Sequence, residues 1–113
     1  MNTGKNMLSY TEIENKLKSV YKKYGNVRVG VAGSYANNTA KDSSDVDIVI
    51  DGDSMRMDIE QYIRSLFSIP VDVLWLELLE EDDRRLDELA LSIGIPQNKY
   101  SVYKTIMEEV KWV

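Results

Sequence analysis

An α+β fold, a small mixed β-sheet with helices packed on one face, is what three observations predict. Short apolar runs rich in β-branched residues occur at Val27 to Ala32, Asp45 to Ile50 and Val71 to Leu76. The stretches around them repeat apolar residues at helical spacing, and Gly, Pro and Asn mark the junctions. The resulting order, α-β-turn-β-α-β-α-α, supplies few strands and enough helices to cover one face of the sheet. At 113 residues the chain reads as a single domain, 1–113, with one core.

Ser9-Tyr10-Thr11-Glu12 has the spacing of a capping box, and Thr11 with Glu14 offers a second register. Ile13, Leu17, Val20, Tyr21 and Tyr24 then share one helical face, and Gly25 is the expected left-handed stop. After the first two strands, Asp51-Gly52-Asp53-Ser54 reads as a turn with Asp53 or Ser54 as N-cap. The helix it opens buries Met55, Ile59, Tyr62, Ile63 and Leu66 and ends before Pro70. The third strand leads into a charged helix that points Leu79, Leu86, Leu89 or Ala90, and Ile93 inward and stops at Gly94. Asn98 is the expected cap of a last helix presenting Val102, Ile106 and Val110.

Composition narrows the chemistry. Histidine and cysteine are both absent. Ser-His-Asp triads, Cys-His pairs, disulfides and thiolate zinc sites therefore cannot be built from this chain. The lack of cysteine and of an apolar leader or spanning segment predicts a cytoplasmic protein without a membrane association. A net charge of -5 argues against direct nucleic-acid binding, which uses a basic face. It leaves room for an anionic substrate that arrives with its own divalent cation.

Carboxylates then carry the chemistry. On a strand Asp45 and Asp47 point to one face, and Val46 and Ile48 to the other. Two like charges side by side raise each other's cost of ionisation. A shared divalent cation relieves that cost, and all-oxygen ligands suit Mg²⁺ or Mn²⁺. Asp72 interrupts a second apolar strand, and if the two strands are neighbours the three carboxylates converge on one metal site. Gly33-Ser34, directly after the first strand, offers backbone N–H groups and a hydroxyl to an anion. Turn and carboxylates together fit a nucleoside triphosphate with its metals.

Gly33-Ser34, ten residues, Asp45-x-Asp47 and a later strand Asp72 resemble the signature of the nucleotidyltransferase superfamily that includes DNA polymerase β. The short chain is similar to the minimal nucleotidyltransferases, the antitoxin halves of HEPN toxin–antitoxin modules. The resemblance implies the polymerase β-like nucleotidyltransferase fold and an enzyme that transfers a nucleoside monophosphate, AMP from ATP, to a hydroxyl. It implies two Mg²⁺ ions, with Mn²⁺ as a substitute, held by Asp45, Asp47 and Asp72. Of these, Asp72 would also help activate the attacking hydroxyl. Gly33 and Ser34 would hold the β- and γ-phosphates. The implied partner is a HEPN-type toxin whose tyrosine is the acceptor. Many minimal members read Gly-Ser-x-Ala-Arg-Gly, whereas this chain has Asn37-Asn38; Asn38 can adopt the left-handed region, but Asn37 carries no charge, and Lys41 is the candidate replacement cation. The alternatives are an antitoxin that neutralises its partner by binding alone and a small-molecule, aminoglycoside-type nucleotidyltransferase.

Other motifs read as structural. Asp51-Gly52-Asp53 lacks the glycine placement of a calcium loop, and no strand precedes the "TGKN" near the start. Glu80 to Asp83 is expected as a solvated first helical turn. Asn37-Asn38-Thr39 is a sequon without consequence in cytosol. Tyr62, Tyr100, Tyr103 and Trp112 are core or partner-contact candidates.

Overall fold

The computed structural model describes residues 8–52, 56–94 and 101–113. Helix α1 (Tyr10–Lys23) is followed by strand β1 (Val27–Ala32), a single turn α2 (Gly33–Ala36) and strand β2 (Val46–Gly52). Helix α3 (Met57–Ser65), strand β3 (Val71–Trp75), helices α4 (Leu76–Ser92) and α5 (Val102–Glu109), and a short strand β4 (Lys111–Trp112) complete the chain.

The capping box forms in its first register. Ser9 Oγ accepts the Glu12 N–H at 3.1 Å, and Glu12 Oε1 accepts the Ser9 N–H at 3.1 Å. Ile13, Leu17 and Val20 are buried along α1, while Tyr21 stays partly exposed and uses its hydroxyl instead. That hydroxyl accepts the Val29 N–H at 2.9 Å and donates to the Val113 carbonyl at 2.8 Å. The left-handed residue after α1 is Asn26 (φ 57) rather than Gly25. Asparagine tolerates that region because its short amide can bond locally.

The sheet order is β3-β2-β1-β4, with β1 antiparallel to β2 and to β4, and β2 parallel to β3. Helices lie on both faces, not one. Val29, Val31, Ile48, Ile50, Val71 and Trp75 pack with Ile13, Leu17 and Val20 of α1 and Ile59 and Ile63 of α3. On the other face Ala32, Val49 and Leu74 meet Leu76 and Leu79 of α4 and Ile106 of α5. A β-strand shows alternate residues to alternate faces, so each of these strands feeds both cores. Gly30 lets β4 close over β1, since a Cβ there would stand 2.6 Å from Val110 Cγ2. Glu60 of α3 accepts from Trp75 Nε1 at 2.9 Å and Arg64 of α3 donates to the Val71 carbonyl, which ties the helix to the β3 edge.

Several boundaries depart from the sequence reading. Strand β2 begins at Val46 and keeps Asp51 and Gly52, and Asp51 pairs with Arg28 at 3.0 Å. Arg56 occupies the N-cap position of α3 without a side-chain cap bond; Asp53, Ser54 and Met55 lie outside the described residues. Leu76 opens α4 instead of ending β3, so Glu80 to Asp83 fall in its second turn. Leu86, Leu89 and Ile93 face solvent, and α4 buries Leu76 and Ala90 with Leu79 half-buried. Gly94 does end the helix, with φ 76. Ser101 caps α5, accepting the Lys104 N–H at 3.1 Å; Asn98 and Tyr100 lie outside the described residues. No helix among the described residues is long and apolar enough to cross a membrane.

Candidate active site

Strand β1 delivers the chain to Gly33, whose φ of 66 bends it into the single turn α2. The first N–H groups of such a turn have no intrahelical acceptor and face outward toward an anion. Asn37 N–H bonds back to the Gly33 carbonyl at 3.1 Å and Thr39 N–H to the Ser34 carbonyl at 2.8 Å, which fixes the turn. Asn38 takes φ 64, as its amide side chain permits.

Strand β2 then returns antiparallel, setting Asp47 opposite Ala32, and β3 sets Asp72 opposite Asp47 in the parallel ladder. Residues paired across a ladder project from the same face. Asp47 and Asp72 therefore share the face and the strand end at which α2 sits. Asp47 is half-buried, whereas Asp72 is exposed. Asp45 precedes β2 in the loop instead of belonging to the strand, and it is exposed.

Asp47 also lies directly over Gly33. A Cβ at position 33 would stand 2.2 Å from Asp47 Oδ2. The glycine is thus required twice, by its backbone angle and by the carboxylate above it. Sequence reading gave neither of these reasons, only the close approach of an anion to the backbone N–H groups.

Electrostatics mark the same spot. The Asp47 carboxyl is pushed up to about 6, first by burial, then by the charge of Asp72, the charge of Asp45, a hydrogen bond with Asp72 and the charge of Glu109. Without a cation, the neighbouring Asp72 charge makes ionisation of the Asp47 carboxyl costly. Glu109, at the end of α5, had no signal in the sequence, because only the docking of α5 on the sheet brings its charge into range. Among the described residues no three carboxylates already surround one point. The touching pair Asp47 and Asp72 supplies hard oxygen donors whose mutual repulsion a divalent cation would relieve, so the residues fit Mg²⁺ or Mn²⁺.

Ser34 is half-buried beside Gly33, and Lys41 is exposed on the loop between α2 and β2. That loop is pinned by Lys41 N–H to Ser44 Oγ at 2.8 Å and Ser44 N–H to the Lys41 carbonyl at 2.9 Å. The Asn37 amide oxygen accepts from the Thr39 hydroxyl. A separate hollow of about 210 Å³, lined by Asn26, Gly52, Arg56 and Trp75 among others, lies at the opposite strand ends.

A mixed sheet in which a Gly-Ser turn ends one strand, and the next two strands carry facing aspartates near their starts, is consistent with the polymerase β-like nucleotidyltransferase fold. The sequence profile of the nucleotidyltransferase domain matches residues 12–113, and the chain belongs to that family. It is 28% identical over 116 residues to the protein adenylyltransferase MntA of Thermococcus cleftensis, an alignment covering 95% of this chain and 98% of that protein.

Proposed function

We propose that this domain transfers AMP from ATP to a hydroxyl on a partner protein, the tyrosine of a HEPN-type toxin, and so acts as a cytoplasmic antitoxin. The observation that carries the reading is the pairing of Asp47 with Asp72 across β2 and β3, beside the Gly33-Ser34 turn. The MntA relative, a protein adenylyltransferase by name, supports a protein acceptor.

In this reading Gly33 and Ser34 bind the β- and γ-phosphates through backbone N–H groups and the Ser34 hydroxyl. Asp47 and Asp72 hold the divalent cation, and Asp45 joins them from the loop. A bound Mg²⁺ supplies charge neutralisation at the phosphates and lowers the acceptor's pKa. The acceptor oxygen forms a bond to the α-phosphorus while the bond to the departing pyrophosphate breaks. Asp72, exposed on the edge strand, would orient the acceptor hydroxyl and receive its proton. Most of the acceleration comes from positioning and charge, because phosphoryl chemistry demands little else of a protein. Lys41 is the candidate replacement for the arginine that many minimal members carry at the position of Asn37.

A second reading is favoured by one observation: position 37 is uncharged, and its amide already serves Thr39. It holds that neutralisation of the partner occurs by binding alone. ATP labelled at the α-phosphate, with Mg²⁺ and a HEPN-type toxin as acceptor, separates the two. Transfer of label to the toxin by the wild type, lost in Asp47→Ala, supports the enzyme. Protection of cells by a chain that never transfers label supports the binding reading.

A further inference from the structure

We infer that α4 carries a docking face for a helix of another protein, one with an apolar seam flanked by lysine and arginine. Five of the eight exposed large apolar side chains among the described residues lie on α4 and its C-cap: Leu78, Leu86, Leu89, Leu91 and Ile93. Four of them align. At about 3.6 residues per turn, Leu78, Leu86, Leu89 and Ile93 fall within roughly 80° of arc. Leu76, Leu79 and Ala90, which face the sheet, occupy a different sector of the same helix. The helix is therefore apolar over about 160° of arc, and the outer half has no covering within the described fold. The outer stripe is 44–62% exposed, and its last three members are spaced by three and four residues, the repeat of a helix–helix seam.

Charge identifies the occupant. Helix α4 carries seven acids against two arginines, which equals the net charge of the whole chain and leaves twelve of each sign elsewhere. Asp82 falls within the stripe itself, and Glu81 and Glu88 border its open side, where Arg85 pairs with Glu81 at 2.9 Å. The groove of about 490 Å³ that other acids of α4 line toward Tyr103 of α5 lies on the opposite side of the helix. A second copy of this chain would bring like charges together along such a seam, and an anionic lipid surface would be repelled. A basic amphipathic helix meets both features at once: leucines for the stripe, cations for the border.

The inference rests on α4 alone, not on the catalytic reading, and its test uses no nucleotide. Two synthetic helical peptides with the same leucine seam, one flanked by Lys and Arg and one by Glu, are titrated into the full chain by fluorescence anisotropy. The basic peptide is expected to bind at least tenfold more tightly, with affinity falling as salt screens the border. Leu86→Gln/Leu89→Gln should weaken it tenfold or more while the melting curve stays put, because both side chains sit in solvent. Glu81→Lys/Glu88→Lys should erase the preference for the basic peptide. Equal binding of the two peptides, no binding of the basic one, or affinity unchanged in the leucine double variant would overturn the inference. So would sedimentation of the chain alone as a dimer that the same double variant dissociates, since the occupant would then be a second copy.

Discussion

Replacing Asp47 by asparagine should stabilise the protein at neutral pH while ending its chemistry. The carboxyl is pushed from 3.8 up to about 6 by burial and by Asp72, Asp45 and Glu109. For an acid raised on folding, the folded state holds the extra proton between those two values. Stability is therefore fully present below about pH 4, is lost as pH rises toward 6, and stays lower above it. A shift of that size corresponds to roughly 3 kcal/mol at face value. The side chain is only half-buried, and discounting for solvent screening leaves about 1 kcal/mol. For a chain of this length that is a melting-temperature difference of about 4 °C. Asp47→Asn keeps the shape and a donor for Asp72 but removes the like charge. In chelator, circular-dichroism melts should place the variant about 4 °C above wild type at pH 7, with the gap closing near pH 4. Mg²⁺ should then raise the wild type and leave the variant nearly unchanged. A variant less stable than wild type at pH 7, or a gap that ignores pH, would refute the crowding of carboxylates on which this rests.

Three further substitutions probe the surroundings. Gly33→Ala combines a left-handed backbone cost of about 1–2 kcal/mol with displacement of the Asp47 carboxylate. Label transfer should fall at least tenfold and the melt should drop, and full transfer would contradict the packing of Asp47 on Gly33. Tyr35→Phe removes a buried hydroxyl that has no hydrogen-bond partner among the described residues. Its melting temperature should hold or rise slightly, and a loss above about 1 kcal/mol would reveal a partner for that hydroxyl. Tyr21→Phe removes the bonds to Val29 N–H and the Val113 carbonyl. A loss of roughly 1–2 kcal/mol is expected, with faster amide exchange at Val29 if the hydroxyl pins the β1–β4 edge.

Strands β1, β2 and β3 were legible because each is a short apolar run between turn residues, and the capping box narrowed the start of α1 to two registers, of which Ser9 with Glu12 forms. The side-chain alternation of β2 and β3 also placed Asp47 and Asp72 on one face once the strands were taken as neighbours. What the sequence hid depends on tertiary choice. Two-residue β4 is too short for any period, and it forms because Gly30 leaves room for it. The outward turn of Leu86, Leu89 and Ile93 could not be read from spacing, since α4 is apolar over a wide arc and spacing alone does not say which part of it meets the sheet. Asn26 took the left-handed position beside a glycine that would have suited it, a choice the local sequence leaves open. Glu109 enters the electrostatics of Asp47 only through the packing of α5.

The most direct measurement is a crystal structure with Mg²⁺ and a non-hydrolysable ATP analogue. Carboxylate oxygens of Asp47 and Asp72 should sit about 2.1 Å from a shared cation, with the terminal phosphates on the Gly33-Ser34 N–H groups. A nucleotide seated instead at the far strand ends, in the hollow beside Arg56 and Trp75, would contradict the assignment.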